Sequence, residues 1–272
     1  MSRKKYYLLL LSVQIAVAII VYVSLSSVPS ENMEVENKEN EAKQVYWTYE
    51  EENGPTKWVS VDPSYLACGG GNEQSPINIT DASVWEKQIF ENVELDYYPT
   101  KFLIENTGYT IEAKDPTAKN MLTIDGNDYQ LKGVHFHIPS EHQLNGQTFN
   151  MEGHLVHQTK EGKIAVIGFL IEEGKVNTDF AEMWSLLPTE KTEQPVELKH
   201  SIDLLEVLPN DKTMYQYSGS LTTPPCTEGV TWILYKQPVE MSAQQIEAFA
   251  HIFHQNARPL QPLNNRKVYK NN

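Results

Sequence analysis

The chain has 272 residues, of which 40% are hydrophobic and 21% charged, values typical of a folded protein with one or two domains. This composition excludes disorder along the whole length and a protein with many membrane spans. The formal net charge of −14 repels phosphate backbones, so we expect no nucleic acid among the partners.

The first 30 residues predict export. Arg3, Lys4 and Lys5 precede an almost unbroken apolar run from Tyr6 to Leu25, and a basic segment before an apolar one is typical of a secretory signal. The run is also long enough to span a bilayer. Residues 1–30 are therefore a signal peptide or an uncleaved anchor, and only the anchor would bring the protein to a membrane. In both cases we expect the rest to be secreted, periplasmic or at the cell surface.

Residues 31–44 form an acidic segment with five Glu and no aromatic residue. Such a segment cannot bury enough apolar surface to offset its chain entropy, so we predict a disordered tether. The folded domain is expected at 45–270. It holds two cysteines, Cys68 and Cys226. An even pair in an oxidising compartment favours one disulfide, and the alternative is two buried free thiols.

The domain is predicted to be rich in strands, because short apolar or alternating runs recur between turn residues. Two helices are also expected. Ser242 and Gln245 form a capping box, and apolar residues follow at helical spacing. A shorter helix is predicted from Asp179, as its N-cap, through Leu187.

Five of the eight histidines lie between residues 133 and 158. His135 and His137 are separated by one residue, so on a strand both imidazoles project from the same face. The run from Met151 to His157 has the same period, and pairing the two strands would bring His154 to the same point. Three neutral imidazoles with an open fourth position are typical of a catalytic Zn2+. The alternative is a set of surface histidines or buried histidines with other partners.

Other polar residues surround this set. Glu152, two residues before His154, could accept a hydrogen bond from an imidazole, and Glu141 is a candidate buried acceptor. In the segment Thr222-Thr223-Pro224-Pro225, the two prolines form a rigid turn. A hydroxyl held there could accept a hydrogen bond from a nucleophile and donate one to a carboxylate, although the same four residues could be only a turn.

Together these segments resemble the α-class carbonic anhydrases, and the residues of the motifs resemble those of the secreted bacterial branch of that family. The similar motifs have the order and spacing of the family. They are NGPTKW at 53–58, QSPINI at 74–79, HFHIPSEH at 135–142, EGHLVH at 152–157, SGSLTTPPCTEGVTW at 218–232 and NARPLQPLNNR at 256–266. The resemblance implies a mainly β fold, with a large, twisted, mostly antiparallel central sheet and a few peripheral helices.

The resemblance also assigns roles to residues. It implies His135, His137 and His154 as Zn2+ ligands, and Thr222 as the hydroxyl that orients the attacking hydroxide and bonds Glu141. The substrate side would be formed by Thr222 and Thr223 with an apolar wall of Val156, Val166, Leu221, Val230 and Trp232. Tyr49 and Tyr217 match positions that form hydrogen bonds around the site, as Glu152 does.

Two positions depart from the family pattern. Gly133 stands where the family usually has a Gln that bonds the first ligand histidine, so we expect another group to orient His135. Tyr109 stands where many members have a His that passes protons to water. The resemblance therefore gives Tyr109 the catalytic position of proton transfer, and the alternative is a bulky residue at the rim of the site.

The expected function is the zinc-dependent, reversible hydration of carbon dioxide to bicarbonate and a proton. A non-catalytic binding module on the same fold is the alternative, and its usual signature, loss of a ligand histidine, is missing here. A zinc scavenger is a third interpretation, but the acidic tether contains no His or Cys. The expected partners are carbon dioxide and bicarbonate, and a homodimer is compatible with the sequence.

Overall fold

The computed structural model describes residues 46–85 and 92–271. The predicted signal or anchor at 1–30 and the tether at 31–44 lie outside these residues. Among the described residues, no helix is both long enough and apolar enough to cross a membrane.

Strands dominate the described residues, and the helices are short. The strands are β1 (Asn78–Ile79), β2 (Val84–Trp85), β3 (Val93–Asp96), β4 (Leu103–Asn106), β5 (Ile111–Lys114), β6 (Met121–Ile124), β7 (Asn127–His137), β8 (Gln143–Leu144), β9 (Met151–Gln158), β10 (Ile164–Glu173), β11 (Val196–Glu197), β12 (Met214–Ser220), β13 (Glu228–Tyr235), β14 (Val239–Met241) and β15 (Val268–Lys270). The helices are α1 (Trp58–Val61), α2 (Ala67–Gly70), α3 (Ala181–Ser185), α4 (Leu204–Val207) and α5 (Ala243–Ala250), with 3-10 turns at Pro63–Tyr65 and Asp81–Ser83.

Thirteen of these strands form one sheet, with the main order β11-β4-β5-β7-β9-β10-β13-β12-β15-β2. Strand β14 pairs with β10, and β3 and β6 extend the sheet from β7. Most neighbours are antiparallel, whereas β10 runs parallel to β13 and β14, and β15 runs parallel to β2. Strands β1 and β8 form a small separate parallel pair. The predicted mainly β fold, with a large sheet and few helices, is confirmed.

The central strand β7 alternates between two environments. Val134 and Phe136 are buried in a hydrophobic cluster on one side of the sheet. His135 and His137 therefore project from the other side, where β10 and β13 supply a second cluster that includes Val166. Strand β10 is apolar along most of its length because the sheet is covered on both faces at its centre.

The helix predicted from Ser242 is confirmed. Ser242 Oγ accepts a hydrogen bond from the N–H of Gln245, and Gln245 Oε1 accepts one from the N–H of Ser242. The shorter predicted helix was wrong at both ends: α3 begins at Ala181 and ends at Ser185 rather than Leu187, and Asp179 does not cap it. Asn177 Oδ1 instead accepts from the N–H of Phe180, so the chain turns into the helix one residue later.

A disulfide joins Cys68 to Cys226, as predicted, across 158 positions of sequence. It connects α2 to the turn that follows β12. Both cysteines are buried and pack in one cluster with Trp58, Trp47 and Tyr49. The disulfide therefore ties the start of the described chain to the turn that carries Thr222.

Candidate metal centre

The register of β7 and β9 brings the three predicted ligands together. His135 lies opposite His154, and His137 lies opposite Glu152. The ring centroids of the three histidines are 4.6–5.1 Å apart. Nε2 of His135 lies 3.3 Å from Nδ1 of His154, and one ring nitrogen from each histidine falls within 4.8 Å of the others.

Acceptors behind two of the rings determine which nitrogens face inward. His137 Nδ1 lies 2.7 Å from the backbone carbonyl oxygen of Asn256, and His154 Nε2 lies 2.7 Å from Glu152 Oε1. Each acceptor holds a proton on the outer nitrogen, so the inner nitrogen presents a lone pair. His137 Nε2 is buried and has no hydrogen-bond partner among the described residues. A buried nitrogen without a partner, aimed at two others, fits a bound metal ion.

The electrostatics of the site favour neutral imidazoles. Burial lowers the pKa of His137 and lowers that of His135 well below its ordinary value, and each ring is further disfavoured as a cation by its histidine neighbours. Neutral imidazole is the form of histidine that binds a metal. His135 and His137 therefore offer nitrogen lone pairs at neutral pH.

A buried hydrogen-bond network lies behind His154. Glu152 Oε1 accepts from His142 Nδ1 at 2.7 Å as well as from His154. His142 Nε2 lies 2.5 Å from the Tyr217 hydroxyl, which is 2.8 Å from Ser75 Oγ. Burial raises the pKa of Glu152, but the imidazoles of His142 and His154 outweigh it and hold that pKa well below its ordinary value. The grouping of His142, Glu152 and His154 is thus a saturated network and not a second metal site.

Glu141 and Thr222 are both buried, and Glu141 lies close to two of the rings, with its Oε1 3.5 Å from His137 Nδ1 and its Oε2 4.0 Å from His154 Nε2. Glu141 Oε1 accepts from the backbone N–H of Arg258 at 2.8 Å, and its Oε2 has no partner among the described residues. Thr222 is 5% exposed, and the hydrogen bonds of residues 46–85 and 92–271 include none between its hydroxyl and Glu141. The turn that holds Thr222 is closed by hydrogen bonds from Cys226 N–H to the Thr223 carbonyl and from Leu221 N–H to the Thr227 carbonyl.

The five apolar residues predicted to face the substrate lie in one hydrophobic cluster. They are Val156, Val166, Leu221, Val230 and Trp232. Cross-strand pairing explains their meeting, because Val166 on β10 lies between Val156 on β9 and Trp232 on β13. The rings of Trp232 and His154 are 4.9 Å apart, so the apolar cluster borders the histidines directly.

Aromatic residues form the other side of the site. Tyr109 stacks on Trp47 with ring centroids 3.9 Å apart, and Tyr49 packs edge-on against Trp47 and Trp58. Burial, followed by the neighbouring Tyr65 hydroxyl, raises the pKa of Tyr109 above its ordinary value. The Tyr49 pKa is raised well above its ordinary value, first by burial and then by the Glu141 carboxylate.

Three site residues had no predicted role. His142 links Glu152 to Tyr217, Asn256 accepts from His137, and the backbone of Arg258 donates to Glu141. Their contacts with Tyr217, His137 and Glu141 span 75, 119 and 117 positions of sequence. No local periodicity signals such contacts, and only the presence of His142, Asn256 and Arg258 within the motifs 135–142 and 256–266 pointed toward them.

Comparison with known proteins agrees with this geometry. The model of the eukaryotic-type carbonic anhydrase family matches residues 53–272. A carbonic anhydrase of Klebsiella pneumoniae is 41% identical over 225 residues, which cover 82% of this chain and 90% of that protein. One from Neisseria gonorrhoeae is 37% identical, with 82% and 87% covered. The solved structure of the α-carbonic anhydrase of Thermovibrio ammonificans with the inhibitor sulfanilamide superposes with a TM-score of 0.79 at 41% identity, covering 83% of this chain and 99% of that one. The chain is therefore an enzyme of the eukaryotic-type, or α-class, carbonic anhydrase family.

Proposed function

We propose that this protein holds Zn2+ on His135, His137 and His154 and catalyses the reversible hydration of carbon dioxide to bicarbonate and a proton. The observation that carries the proposal is the buried Nε2 of His137, which has no partner in the described protein and is aimed at two other imidazoles. Three neutral imidazoles with a free fourth position suit a catalytic zinc ion. When bound in such a site, zinc lowers the pKa of water to about 7 and so supplies hydroxide at neutral pH.

The protein's part begins with the orientation of the ligands. The Asn256 carbonyl and the Glu152 carboxylate each accept a hydrogen bond from an outer ring nitrogen. These bonds keep His137 and His154 in the tautomers that present lone pairs inward, so the rings need no rearrangement to bind the ion. Glu152 is itself held by two backbone N–H groups and by His142.

Carbon dioxide is apolar and linear, so an apolar surface beside the nucleophile is a suitable place to hold it. The cluster of Val156, Val166, Leu221, Val230 and Trp232 borders His154 and provides that surface. Thr223, next to the cluster in the turn, is assigned to the side where bicarbonate forms.

Thr222 and Glu141 are assigned to orient the nucleophile. Glu141 Oε2 has a buried lone pair with no donor among the described residues, and a Thr222 O–H that turns toward it would satisfy both groups. The Thr222 oxygen can then only accept, so a hydroxide that donates to it directs its own lone pair toward the apolar wall. Charge-assisted bonds of this kind are among the strong ones in proteins.

We also infer that the protein acts outside the cytoplasm. The disulfide between Cys68 and Cys226 supports this, because such bonds persist in oxidising compartments. Analysis of the mature N-terminus from membrane and soluble fractions of a cell that exports the protein tests this inference. Unprocessed chain confined to the cytoplasm would contradict it.

The experiment that tests the catalytic proposal combines metal analysis with stopped-flow hydration of carbon dioxide, before and after treatment with a zinc chelator. We expect one zinc ion per chain and activity that is lost on chelation and restored by zinc. His137→Ala should lose nearly all activity while remaining folded. His251→Ala, which removes an exposed histidine that contacts only the Glu247 carbonyl among the described residues, is the matched control and should behave as the wild type.

Full zinc occupancy and full activity in His137→Ala would remove the ligand assignment. A wild-type protein that binds zinc but does not hydrate carbon dioxide would instead support the alternative of a non-catalytic binding module.

A further inference from the structure

The three histidines are not supported equally. The outer nitrogens of His137 and His154 each lie 2.7 Å from a protein acceptor. Within residues 46–85 and 92–271, no hydrogen bond reaches Nδ1 of His135; the one bond of this ring involves its inner Nε2. Histidine ligands almost always donate their other N–H to an acceptor, and loss of that acceptor weakens metal binding. An acceptor for the Nδ1–H of His135 must therefore be sought among the residues that surround this ring.

Strand β7 cannot supply that group from the position two residues earlier. The pairing of β7 with β9 is irregular between Leu131 and Gly133, which displaces this part of the strand. A Cβ atom at Gly133 would lie 2.9 Å from the backbone carbonyl oxygen of Ala113 on β5. Since a backbone atom cannot move aside cheaply, a side chain is excluded at Gly133, and the acceptor must come from another strand.

Strand β5 offers a carboxylate at the required place. Glu112 is the direct cross-strand partner of His135, so the two side chains project from the same face of the sheet. Glu112 Oε1 lies 3.2 Å from the position of the missing Gly133 Cβ. The carboxylate thus fills the space in which a side chain at Gly133 would begin.

The carboxylate of Glu112 is also free to accept. Its cross-strand partner on β4 is Glu105, and the ammonium group of Lys114 lies near both carboxylates. Lys114 Nζ is 2.6 Å from Glu105 Oε1 but 4.0 Å from Glu112 Oε2, so the lysine is committed to Glu105. No hydrogen bond of the described residues involves the Glu112 carboxylate, although this side chain is only 28% exposed.

We propose that Glu112 is the positioning residue of His135, and that its carboxylate accepts the hydrogen bond of His135 Nδ1–H, directly or through one water, when the metal is bound. The inference rests on the proposed zinc site. On this account each ligand has its own acceptor: a backbone carbonyl for His137, a buried carboxylate for His154 and a carboxylate from the neighbouring strand for His135. Glu112 acts through His135 and touches neither substrate nor metal.

Two measurements on the zinc-loaded protein test the proposal. Competition with a chelator gives the zinc affinity, and nitrogen-resolved NMR follows the imidazole N–H of His135 and its exchange with water. We expect Glu112→Ala to weaken zinc affinity by about tenfold or more and to speed exchange of the His135 N–H alone. Glu112→Gln keeps an acceptor oxygen and should restore most of the affinity and the protection.

Glu94→Ala is the control, because it removes an exposed carboxylate on β3 that makes no side-chain hydrogen bond among the described residues and leaves the pairing of Lys114 with Glu105 intact. It should leave zinc affinity and the His135 N–H unchanged. If Glu112→Ala does not fold, Glu112→Leu, which fills similar volume but accepts no hydrogen bond, serves in its place.

Equal zinc affinity and equal N–H exchange in Glu112→Ala and Glu94→Ala would overturn the inference while leaving the zinc site intact. Wild-type zinc affinity and N–H protection in Glu112→Leu, which fills similar volume but accepts no hydrogen bond, would show that packing, and not an acceptor, is what Glu112 provides, and this too would overturn it. A wild-type protein that binds no zinc would overturn the proposed function, and the inference with it.

Discussion

The two sides of the metal centre are built in different ways. On the side of His154, ring and carboxylate belong to a closed network with His142 and Tyr217, and every member is almost fully buried. On the side of His135 the ring is partly exposed, and its cross-strand neighbour is Glu112. One side is thus a buried network with its hydrogen bonds satisfied, and the other is a partly exposed ring beside a single carboxylate.

The difference separates two requirements of the proposed reaction. A metal ligand needs a rigid, dry support, because hydrogen bonds to charged groups are strongest where water is excluded. Exchange of substrate, product and protons needs an open side. We expect substitutions on the buried side to change both metal binding and stability, whereas on the open side Glu112 should affect metal binding and Tyr109 should affect turnover. The following experiments test that division.

The largest effect is expected at Glu152. Glu152→Ala removes the acceptor of His154 and also leaves His142 and two backbone N–H groups without their partner. Zinc affinity should fall by about 10–100-fold, and breaking a buried pair should lower the free energy of unfolding by roughly 3–5 kcal/mol. Chelator competition and urea unfolding measure the two effects.

Glu161→Ala, which truncates an exposed carboxylate in a turn, is the control and should change neither quantity. Wild-type zinc affinity in Glu152→Ala would mean that the buried network does not support the ligand.

The next effect concerns pH and the buried His157. This side chain is buried on the face of the sheet opposite to His154, and the Tyr97 hydroxyl lies 2.6 Å from its Nε2. Burial lowers the pKa of His157 to about 3. In the unfolded chain the pKa is about 6.5, so below that pH the unfolded state binds more protons than the folded one. Stability should therefore fall as the pH falls from about 6.5 toward 3, by about 2 kcal/mol between pH 7 and pH 5 from this group.

His157→Gln removes this titration, so the variant should lose about 2 kcal/mol less than the wild type between pH 7 and pH 5. Urea unfolding at the two pH values gives the comparison, and contributions of the other histidines cancel between the proteins. Parallel losses in both proteins would exclude His157 as a source of acid sensitivity.

The smallest effect is expected at Tyr109 on the open side. A phenol whose pKa is raised above its ordinary value is a poor proton acceptor at neutral pH, whereas an imidazole is well matched. If proton export limits turnover, Tyr109→His should raise kcat several-fold and leave kcat/KM nearly unchanged. External buffer should then accelerate the wild type more than the variant in stopped-flow assays.

Tyr98→His, at an exposed tyrosine that contacts Asp96, controls for the addition of a histidine elsewhere. An unchanged kcat with unchanged buffer dependence in Tyr109→His would place proton exit on another route. A change in zinc affinity in that variant would break the proposed division between the two sides.

Local patterns in the sequence were sufficient for the elements and for much of the site. The two-residue spacing of His135 and His137 predicted a shared face, and the capping box at Ser242 and Gln245 predicted the start of a helix. Both features depend on residues a few positions apart, which adopt similar geometry wherever the chain is extended or helical. The Asp179 prediction failed because Asn177, not Asp179, accepts a hydrogen bond from the chain as it enters the helix, at the N–H of Phe180, and the helix begins at Ala181.

The sequence by itself determined the strand-rich fold, the pairing of the two cysteines and the candidates for the three ligands, because periodicity, residue chemistry and family motifs are local properties. Only the tertiary structure determined which group accepts a hydrogen bond from each histidine ring. Asn256 reaches His137 across 119 positions, and Glu112 meets His135 across 23, through a strand register that an irregularity near Gly133 adjusts. Such pairings depend on how distant strands align, and a shift of one residue would turn every side chain to the opposite face.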